Sequence, residues 1–203
     1  MGRLARQTIL HDGCYAHVFS RSFENRRIFS RPEDYTVFKK LLSEIKREWP
    51  FNIFHYCLMR THFHMVVYIH VLAEFSRALQ ILKRVYTVRY NARHKRSGPL
   101  WRERFKSMLI ENEGYLYACG LYVENNPVKA GIVKDCRDWP HSSSRFYLSG
   151  EKDPLVDCYD LPGLPQDVDI DNSQEFEKGN GIGSPLFKLY LKEQSLSTCP
   201  LKR

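Results

Sequence analysis

The sequence lacks the cysteine pairs that mark a zinc ribbon or a small disulfide framework. Its six cysteines are scattered, with no Cys-x-x-Cys pair, so we expect reduced thiols. No stretch reaches the roughly 18 uninterrupted apolar residues of a membrane span. Residues 1–10 also lack the apolar block of a signal peptide. These absences argue against a disulfide-stapled secreted domain or a membrane protein and favour a cytoplasmic one.

Charge is distributed unevenly along the 203 residues. Residues 149–179 hold nine acidic and two basic side chains, whereas residues 1–148 hold 25 basic and 13 acidic ones, a net charge of +12. We therefore predict a basic domain over residues 1–148 and an acidic C-terminal extension over residues 149–203, partly ordered or docked on the domain. Such a basic domain is typical of nucleic-acid binding, although many basic proteins bind nothing specific.

The periodicity of apolar residues predicts an α+β fold of the ferredoxin-like type. Strand-like runs cover residues 13–20, 51–59, 62–69 and 100–110, and helical spacing covers residues 32–49 and 72–94. Only Arg60 and Thr61 separate the second and third strands, which predicts a tight antiparallel hairpin. A capping box of Ser30 with Glu33 is expected to open the first helix. The order β-α-β-β-α-β predicts a four-stranded antiparallel sheet with two helices on one face.

Two histidines stand one residue apart at the start of the third predicted strand. Because side chains alternate between faces along a strand, His62 and His64 point the same way. Neutral imidazole binds transition metals and also serves manganese and magnesium sites whose shells oxygen ligands complete. Such a pair is more often two surface or hydrogen-bonded histidines, so a metal site needs ligands from elsewhere. We interpret His17, in the first strand, as a half-buried strand histidine.

A further helix is predicted from a cap at Asn112 to Asn125, where the following Asn-Pro pair ends it. Helical spacing places Tyr122 and Asn126 one turn apart. A phenol and an amide oxygen at that spacing, laid over the two-histidine strand, would complete a divalent metal shell and set a nucleophile beside it. The alternative is a packing tyrosine on an amphipathic helix, since the chain has twelve tyrosines.

Four segments, taken in order, resemble the REP-associated tyrosine transposases. This family is a branch of the IS200-like, single-tyrosine HUH transposases, named for histidine, a bulky hydrophobic residue, histidine. The segments are Thr61–His64, Trp101–Ser107, Tyr122–Gly131 and Trp139–Ser143. Each motif is weak alone, but the ordered set is specific and extends the resemblance over roughly residues 10–148. From Gly150 onward no motif matches.

The resemblance implies roles for the residues that match the family's motifs. His62 and His64 would be paired metal ligands, Asn126 the side-chain oxygen ligand, and Tyr122 the nucleophile. The ion would be Mg²⁺ or Mn²⁺. The implied activity is a metal-dependent single-stranded DNA endonuclease and strand transferase, which nicks and rejoins hairpin DNA of palindromic repeats through a covalent 5′-phosphotyrosine.

The resemblance also implies hairpin or single-stranded DNA as the partner and a nucleoid-associated cytoplasmic location. Basic side chains that we expect to contact DNA, each equally interpretable as solvated surface charge, are Arg3, Arg6, Lys83, Arg84, Arg102, Arg104 and Lys106. A domesticated hairpin-binding protein without turnover is the main alternative function. A metal-dependent hydrolase that uses water in place of Tyr122 is a weaker one. Both a monomer and a homodimer remain open.

Overall fold

A computed structural model of the protein describes residues 10–158. Four strands form one sheet: β1 (Cys14–Arg21), β2 (Phe51–Met59), β3 (His62–Ile69) and β4 (Lys106–Ile110). Five α-helices accompany them: α1 (Pro32–Glu48), α2 (Leu72–Arg93), α3 (Glu113–Glu124), α4 (Asn126–Lys129) and α5 (Ser144–Ser149). Within the described residues, no helix combines the length and the apolar character needed to cross a membrane.

The sheet has the strand order β2-β3-β1-β4, and every neighbouring pair is antiparallel. This is the predicted ferredoxin-like arrangement, so the predicted fold class is confirmed. The register pairs Phe19 with His64 and Arg21 with His62 between β1 and β3. Because opposed residues share a face, one face of the sheet carries His62, His64 and the odd-numbered residues of β1.

Helices α1 and α2 pack together and cover the other face with a continuous apolar core. Its largest fully buried side chains include Phe38 of α1, Phe63 of β3 and Tyr86 of α2. The ring of Phe38 meets those of Phe63 and Tyr86 at centroid distances of 5.3 and 5.0 Å. Aromatic burial of this kind anchors both helices on the sheet.

The predicted capping box at the start of α1 is wrong in its residues. The carboxylate of Asp34, not Glu33, accepts hydrogen bonds from the backbone N–H groups of Ser30 and Arg31, both at 3.0 Å. Asp34 is fully buried and also accepts a 2.7 Å hydrogen bond from Arg93 at the end of α2. Because the Asp34 carboxylate reaches both the backbone N–H groups before α1 and the Arg93 guanidinium, it links α1 to α2.

The fourth strand is shorter than predicted. Regular pairing with β1 covers only Lys106–Ile110, and the preceding residues touch the sheet through a single bridge from Ser22 to Trp101. Trp101 instead turns inward, where its ring contacts Phe63 at 5.6 Å between centroids. Its indole N–H donates to the backbone oxygen of Lys83. Packing of the partly buried indole against the core therefore takes this segment out of the strand.

The outer edge of β2 is covered by the chain that follows α4. The backbone N–H of Leu58 donates to the oxygen of His141, and that of Ser143 donates to the oxygen of Tyr56. Farther along the edge, the backbone N–H of Asp157 donates to the oxygen of Ile53 at 2.7 Å. The described part of the proposed acidic extension, which ends at residue 158, is thus docked on the domain. Residues 159–203 lie outside the described residues, so the proposed division at residue 149 stays a prediction.

Candidate active site

The histidine pair lies on the sheet face that α3 covers. His64 is almost fully buried and His62 is half-buried, with ring centroids 5.0 Å apart at an interplanar angle of 83°. The Oγ1 of Thr61 lies within hydrogen-bond distance, 2.9 Å, of His62 Nδ1. Both rings thus stand side by side in a fixed orientation, as the alternation along β3 predicts.

His17 is a member of this site that we did not assign to it from the sequence. It is buried, and its Nε2 lies 2.9 Å from Nδ1 of His64, a distance at which one ring donates to the other. The register pairs His17 with Val66, so it is the diagonal neighbour of His64 on the same face. The prediction of a strand histidine is confirmed, but the prediction that it is half-buried is wrong, because α3 covers this face and His17 bonds to His64. Adjacency of the first and third strands in a ferredoxin-like sheet is the signal that could have revealed it.

The three histidines are neutral near pH 7. Burial lowers the pKa of His17 to about 4. Burial, with help from the nearby Arg21 charge, lowers the pKa of His62 to about 4. Burial and then the neighbouring His17, His62 and Arg21 lower the pKa of His64 well below its ordinary value. Neutral imidazole is the form that binds a metal ion, so the site fits that use.

Helix α3 lays a tyrosine beside these rings. The side chain of Asn112 accepts a 2.8 Å hydrogen bond from the backbone N–H of Tyr115 and starts the helix as predicted. At the other end, the half-buried ring of Tyr122 stands nearly perpendicular to those of His17 and His64, at centroid distances of 5.9 and 6.0 Å. The structure thus brings the predicted nucleophile to the histidine cluster.

Asn126 follows one turn later, at the junction of α3 and α4. Its Nδ2 donates to the backbone oxygens of Tyr122 and Val123, at 2.8 and 3.2 Å. Because the amide nitrogen is held by the helix, the Oδ1 atom is directed away from that backbone, as an oxygen ligand must be. Among the described residues no group of three or more His, Cys, Asp or Glu side chains could hold a metal. A site here must combine the two imidazoles with oxygens such as this amide.

A cysteine thiol, another group that can bind metals, lies next to the histidine pair. Cys57 of β2 lies opposite His64 and is fully buried. Burial, reinforced by the charge of Glu124 and by Cys136, raises the pKa of its thiol well above its ordinary value. Without a bound metal the thiol is therefore protonated. The donors that we assign to the site are nitrogen and oxygen atoms, which suit Mg²⁺ or Mn²⁺ better than a thiolate set would.

Two cationic side chains that we did not assign to the site from the sequence lie beside it. The Nζ of Lys129 in α4 lies 4.6 Å from the centroid of the Tyr122 ring. Arg21 is exposed at the end of β1, directly opposite His62. Lys129 follows Tyr122 by seven positions, or about two helical turns, a spacing that could have pointed to it. A cation at each side of the histidine cluster gives this face the charge that a phosphate group requires.

The residues proposed to contact DNA divide into three groups. Arg84, Arg102 and Arg104 are exposed, and Lys106 is half-buried in an ion pair with Glu103 at 2.8 Å. Lys83 is buried, and its ammonium donates to Ser20 Oγ and to the backbone oxygen of Glu103, each at 2.7 Å. In this arrangement Lys83 joins α2 to the sheet and faces away from solvent. Arg3 and Arg6 lie outside the described residues.

A ferredoxin-like sheet with a His-Phe-His run on its third strand, faced by a helix that carries a tyrosine, defines the HUH class of transposases. A family model described as transposase IS200 like matches residues 11–126, and the chain belongs to this family of DNA-processing enzymes. The predicted resemblance is thereby confirmed.

Individual relatives agree with the family. A REP-associated tyrosine transposase of Escherichia coli (strain K12) is 28% identical over 130 residues, which cover 62% of this chain and 73% of the relative. One of Haemophilus influenzae is 25% identical over 118 residues, or 52% of this chain and 66% of the relative. A solved structure of a REP-associated tyrosine transposase bound to a REP hairpin shares the fold, with a TM-score of 0.60 and 20% identity over 83% of this chain and 99% of that one.

Proposed function

We propose that the protein is a metal-dependent single-stranded DNA endonuclease and strand transferase that acts at hairpin DNA through Tyr122. The observation that carries this proposal is the approach of the Tyr122 ring to within 6.0 Å of His64, between ring centroids. The ring of Tyr122 packs partly against the core, but it also meets two histidines and a lysine, contacts that a purely packing tyrosine does not need. A nucleophile beside side chains that could hold a metal ion is an arrangement that can support phosphoryl transfer.

The reaction is a balanced exchange of phosphodiester bonds. The Oη atom of Tyr122 attacks a backbone phosphorus, a new Oη–P bond forms, and the bond from phosphorus to the 3′-oxygen breaks. The phenolic proton leaves the nucleophile, and the departing 3′-oxygen takes up a proton to become a free hydroxyl. A 3′-hydroxyl attacking the phosphotyrosine reverses the exchange and rejoins strands. One phosphodiester replaces another, so no nucleotide cofactor is consumed.

His62, His64 and Asn126 are the residues that would hold Mg²⁺ or Mn²⁺, the ions that the family relationship suggests and that the amide oxygen suits. When bound, such an ion would polarise the scissile phosphate and offset the charge that develops on its non-bridging oxygens. The protein's own contribution is orientation. A bond between His17 and Nδ1 of His64 fixes that ring and leaves Nε2 as its outward nitrogen. The hydrogen bonds of the Asn126 amide to the backbone do the same for its oxygen.

Lys129 and Arg21 would stabilise negative charge at the site. The ammonium of Lys129 lies over the Tyr122 ring, where its charge would attract the negative charge of a phosphate that approaches the attacking oxygen. After attack, the same ammonium is near the phosphate now attached to Tyr122. Arg21, opposite His62, is placed to bind the phosphate on the other side.

Hairpin DNA is the substrate class that we propose. The support is the relationship to REP-associated tyrosine transposases and the likeness to the one solved with a REP hairpin. In this chain the exposed arginines at positions 84, 102 and 104, with Lys106, line the segment from α2 to β4, and we propose them as phosphate contacts. Arg3 and Arg6 remain proposed contacts of the N-terminal arm.

One experiment tests this function. The full chain is incubated with labelled single-stranded hairpin DNA and Mg²⁺ or Mn²⁺, and a covalent protein–DNA adduct is sought on a denaturing gel. We expect an adduct with the wild type and none with Tyr122→Phe. Tyr117→Phe is the matched control, because it removes a hydroxyl from another half-buried tyrosine of α3.

The two alternatives give different results in the same assay. Hairpin binding without any wild-type adduct would identify a DNA-binding protein without turnover. Cleavage that persists in Tyr122→Phe would identify a hydrolase that uses water. His64→Ala should abolish the adduct and leave hairpin affinity within a few-fold of wild type, because phosphate contacts dominate the affinity.

A further inference from the structure

A buried polar cluster lies under the end of α3, on the side away from the proposed nucleophile. Glu124 is 1% exposed and His55 of β2 is 0% exposed. The Oε1 atom of Glu124 lies 2.7 Å from Nδ1 of His55 and accepts a 2.7 Å hydrogen bond from the Oγ of Ser143. We call Glu124, His55 and Ser143 the buried triad. No member of the triad is needed for the proposed transfer chemistry itself.

Each member of the triad belongs to a different part of the fold. Glu124 ends α3, two residues after Tyr122 and two before Asn126. His55 lies in β2, next to the strand that carries the histidine pair. Ser143 is fixed to the edge of β2, because its backbone N–H donates to the oxygen of Tyr56 and its Oγ accepts from the N–H of Tyr56. The triad therefore joins the helix to the sheet at the level of the proposed site.

The packing around His55 leaves the helix little freedom to shift. Its ring stacks on Tyr147 at 4.4 Å between centroids and lies against the backbone of α3 at Gly120. A Cβ atom added at Gly120 would lie 2.4 Å from His55 Nε2, closer than atoms can approach. The histidine ring thus sets the distance between α3 and β2, while the Glu124 bond sets the rotation of the helix about its axis.

Energetics argue against a merely stabilising role. Burying a carboxylate carries a desolvation cost of several kcal/mol, and apolar side chains of similar volume are often as stable or more so. What a bonded polar cluster adds is a single permitted geometry, because its donors and acceptors are satisfied in one arrangement only. A helix whose end must present two functional side chains gains from that restriction.

We propose that Glu124, His55 and Ser143 are positioning residues that hold the end of α3 so that Tyr122 and Asn126 meet the histidine pair. The inference rests on the proposed function of that site. A misplacement of about 1 Å at a reacting group can cost roughly 10²-fold in rate. Loosening the triad should therefore slow adduct formation far more than it weakens DNA binding, which we assign to exposed arginines outside α3.

The test compares two neighbouring buried serines. Ser143→Ala removes the hydroxyl that donates to Glu124 and accepts from the backbone N–H of Tyr56. Ser142→Ala is the matched control, since the Ser142 hydroxyl is buried and bonds to Trp139 and Ser144 instead. Under single-turnover conditions with saturating hairpin, we expect Ser143→Ala to lower the adduct rate by about 10–100-fold. Hairpin affinity should stay within about twofold, and Ser142→Ala should react at the wild-type rate once the folded fraction is equalised. Ser143→Thr, which keeps a hydroxyl, should recover most of the rate.

A second readout does not require catalysis. Incorporation of 3-fluorotyrosine at position 122 gives a ¹⁹F resonance that reports the surroundings of that ring. We expect one sharp resonance in the wild type and in Ser142→Ala, and a shifted or broadened one in Ser143→Ala. If no variant forms an adduct but the resonance changes as expected, the proposed function fails and the positioning role stands. If Ser143→Ala matches Ser142→Ala in both rate and resonance, the positioning role is refuted.

Discussion

Replacing Gly120 by alanine is the sharpest perturbation of the joint between α3 and the sheet. The new Cβ would lie 2.4–2.7 Å from three atoms of the His55 ring, whereas ordinary carbon contacts are about 3.5–4.0 Å. Either the helix withdraws by about 1 Å or the ring leaves its place. Overpacking of this kind costs about 1–3 kcal/mol. The higher helix propensity of alanine raises the free energy of unfolding by about 1 kcal/mol and partly offsets this cost. The net loss of unfolding free energy should be about 0–2 kcal/mol, so the protein should remain folded.

The effect on activity should be much larger than the effect on stability. A 1 Å withdrawal of α3 carries Tyr122 with it, and we expect the adduct rate to fall by roughly 10²-fold. Urea unfolding measures the stability, and single-turnover adduct formation measures the rate. A double-mutant cycle with His55→Ala isolates the steric term, because removing the ring removes the clash. In that background Gly120→Ala should be neutral or stabilising by up to about 1 kcal/mol.

Two results would refute this reasoning. One is an adduct rate for Gly120→Ala within about threefold of the wild type. The other is an equal cost of the alanine with and without the His55 ring, which would place the strain elsewhere. Hairpin affinity serves as the internal control, because the side chains proposed to hold the hairpin lie on α2, in the segment before β4 and at the first residue of β4, and none belongs to α3.

Three further predictions concern stability and DNA contact. Asp34→Ala should lower the free energy of unfolding by about 2–4 kcal/mol in urea titrations, because it removes a buried carboxylate that caps α1 and pairs with the partly exposed Arg93. A loss below about 1 kcal/mol would count against that role. Burial, assisted by nearby cations, lowers the pKa of His141 to about 4. The unfolded chain therefore binds this proton first, so stability should fall as the pH drops from about 6.5 to about 4. His141→Phe should reduce that fall by about 1–2 kcal/mol, allowing for the half-exposed ring, and an unchanged pH profile would contradict it. Lys83→Met should lower the free energy of unfolding by about 1–3 kcal/mol without changing hairpin affinity. Arg84→Met should weaken hairpin binding and reduce its salt dependence by about one counterion. The reverse pattern would show that Lys83 reaches the DNA.

Local patterns were sufficient for most of the fold. Alternation in β3 and helical spacing in α1 and α2 follow from contacts a few residues apart, so their predicted bounds lie close to the observed ones. The exceptions have long-range causes. Trp101 leaves the predicted fourth strand because its ring packs against Phe63, which lies 38 positions earlier in the sequence. Asp34 displaces Glu33 as the capping residue because it also meets Arg93.

The sequence by itself determined the order of the elements, the shared face of His62 and His64, and the one-turn spacing of Tyr122 and Asn126. These depend on the periods of strands and helices, which any short segment carries. Only the tertiary structure decided that His17 bonds His64 across 47 residues and that His55 bonds Glu124 across 69. Such partners are set by strand order, register and the burial of polar atoms, which arise only when the whole chain is packed.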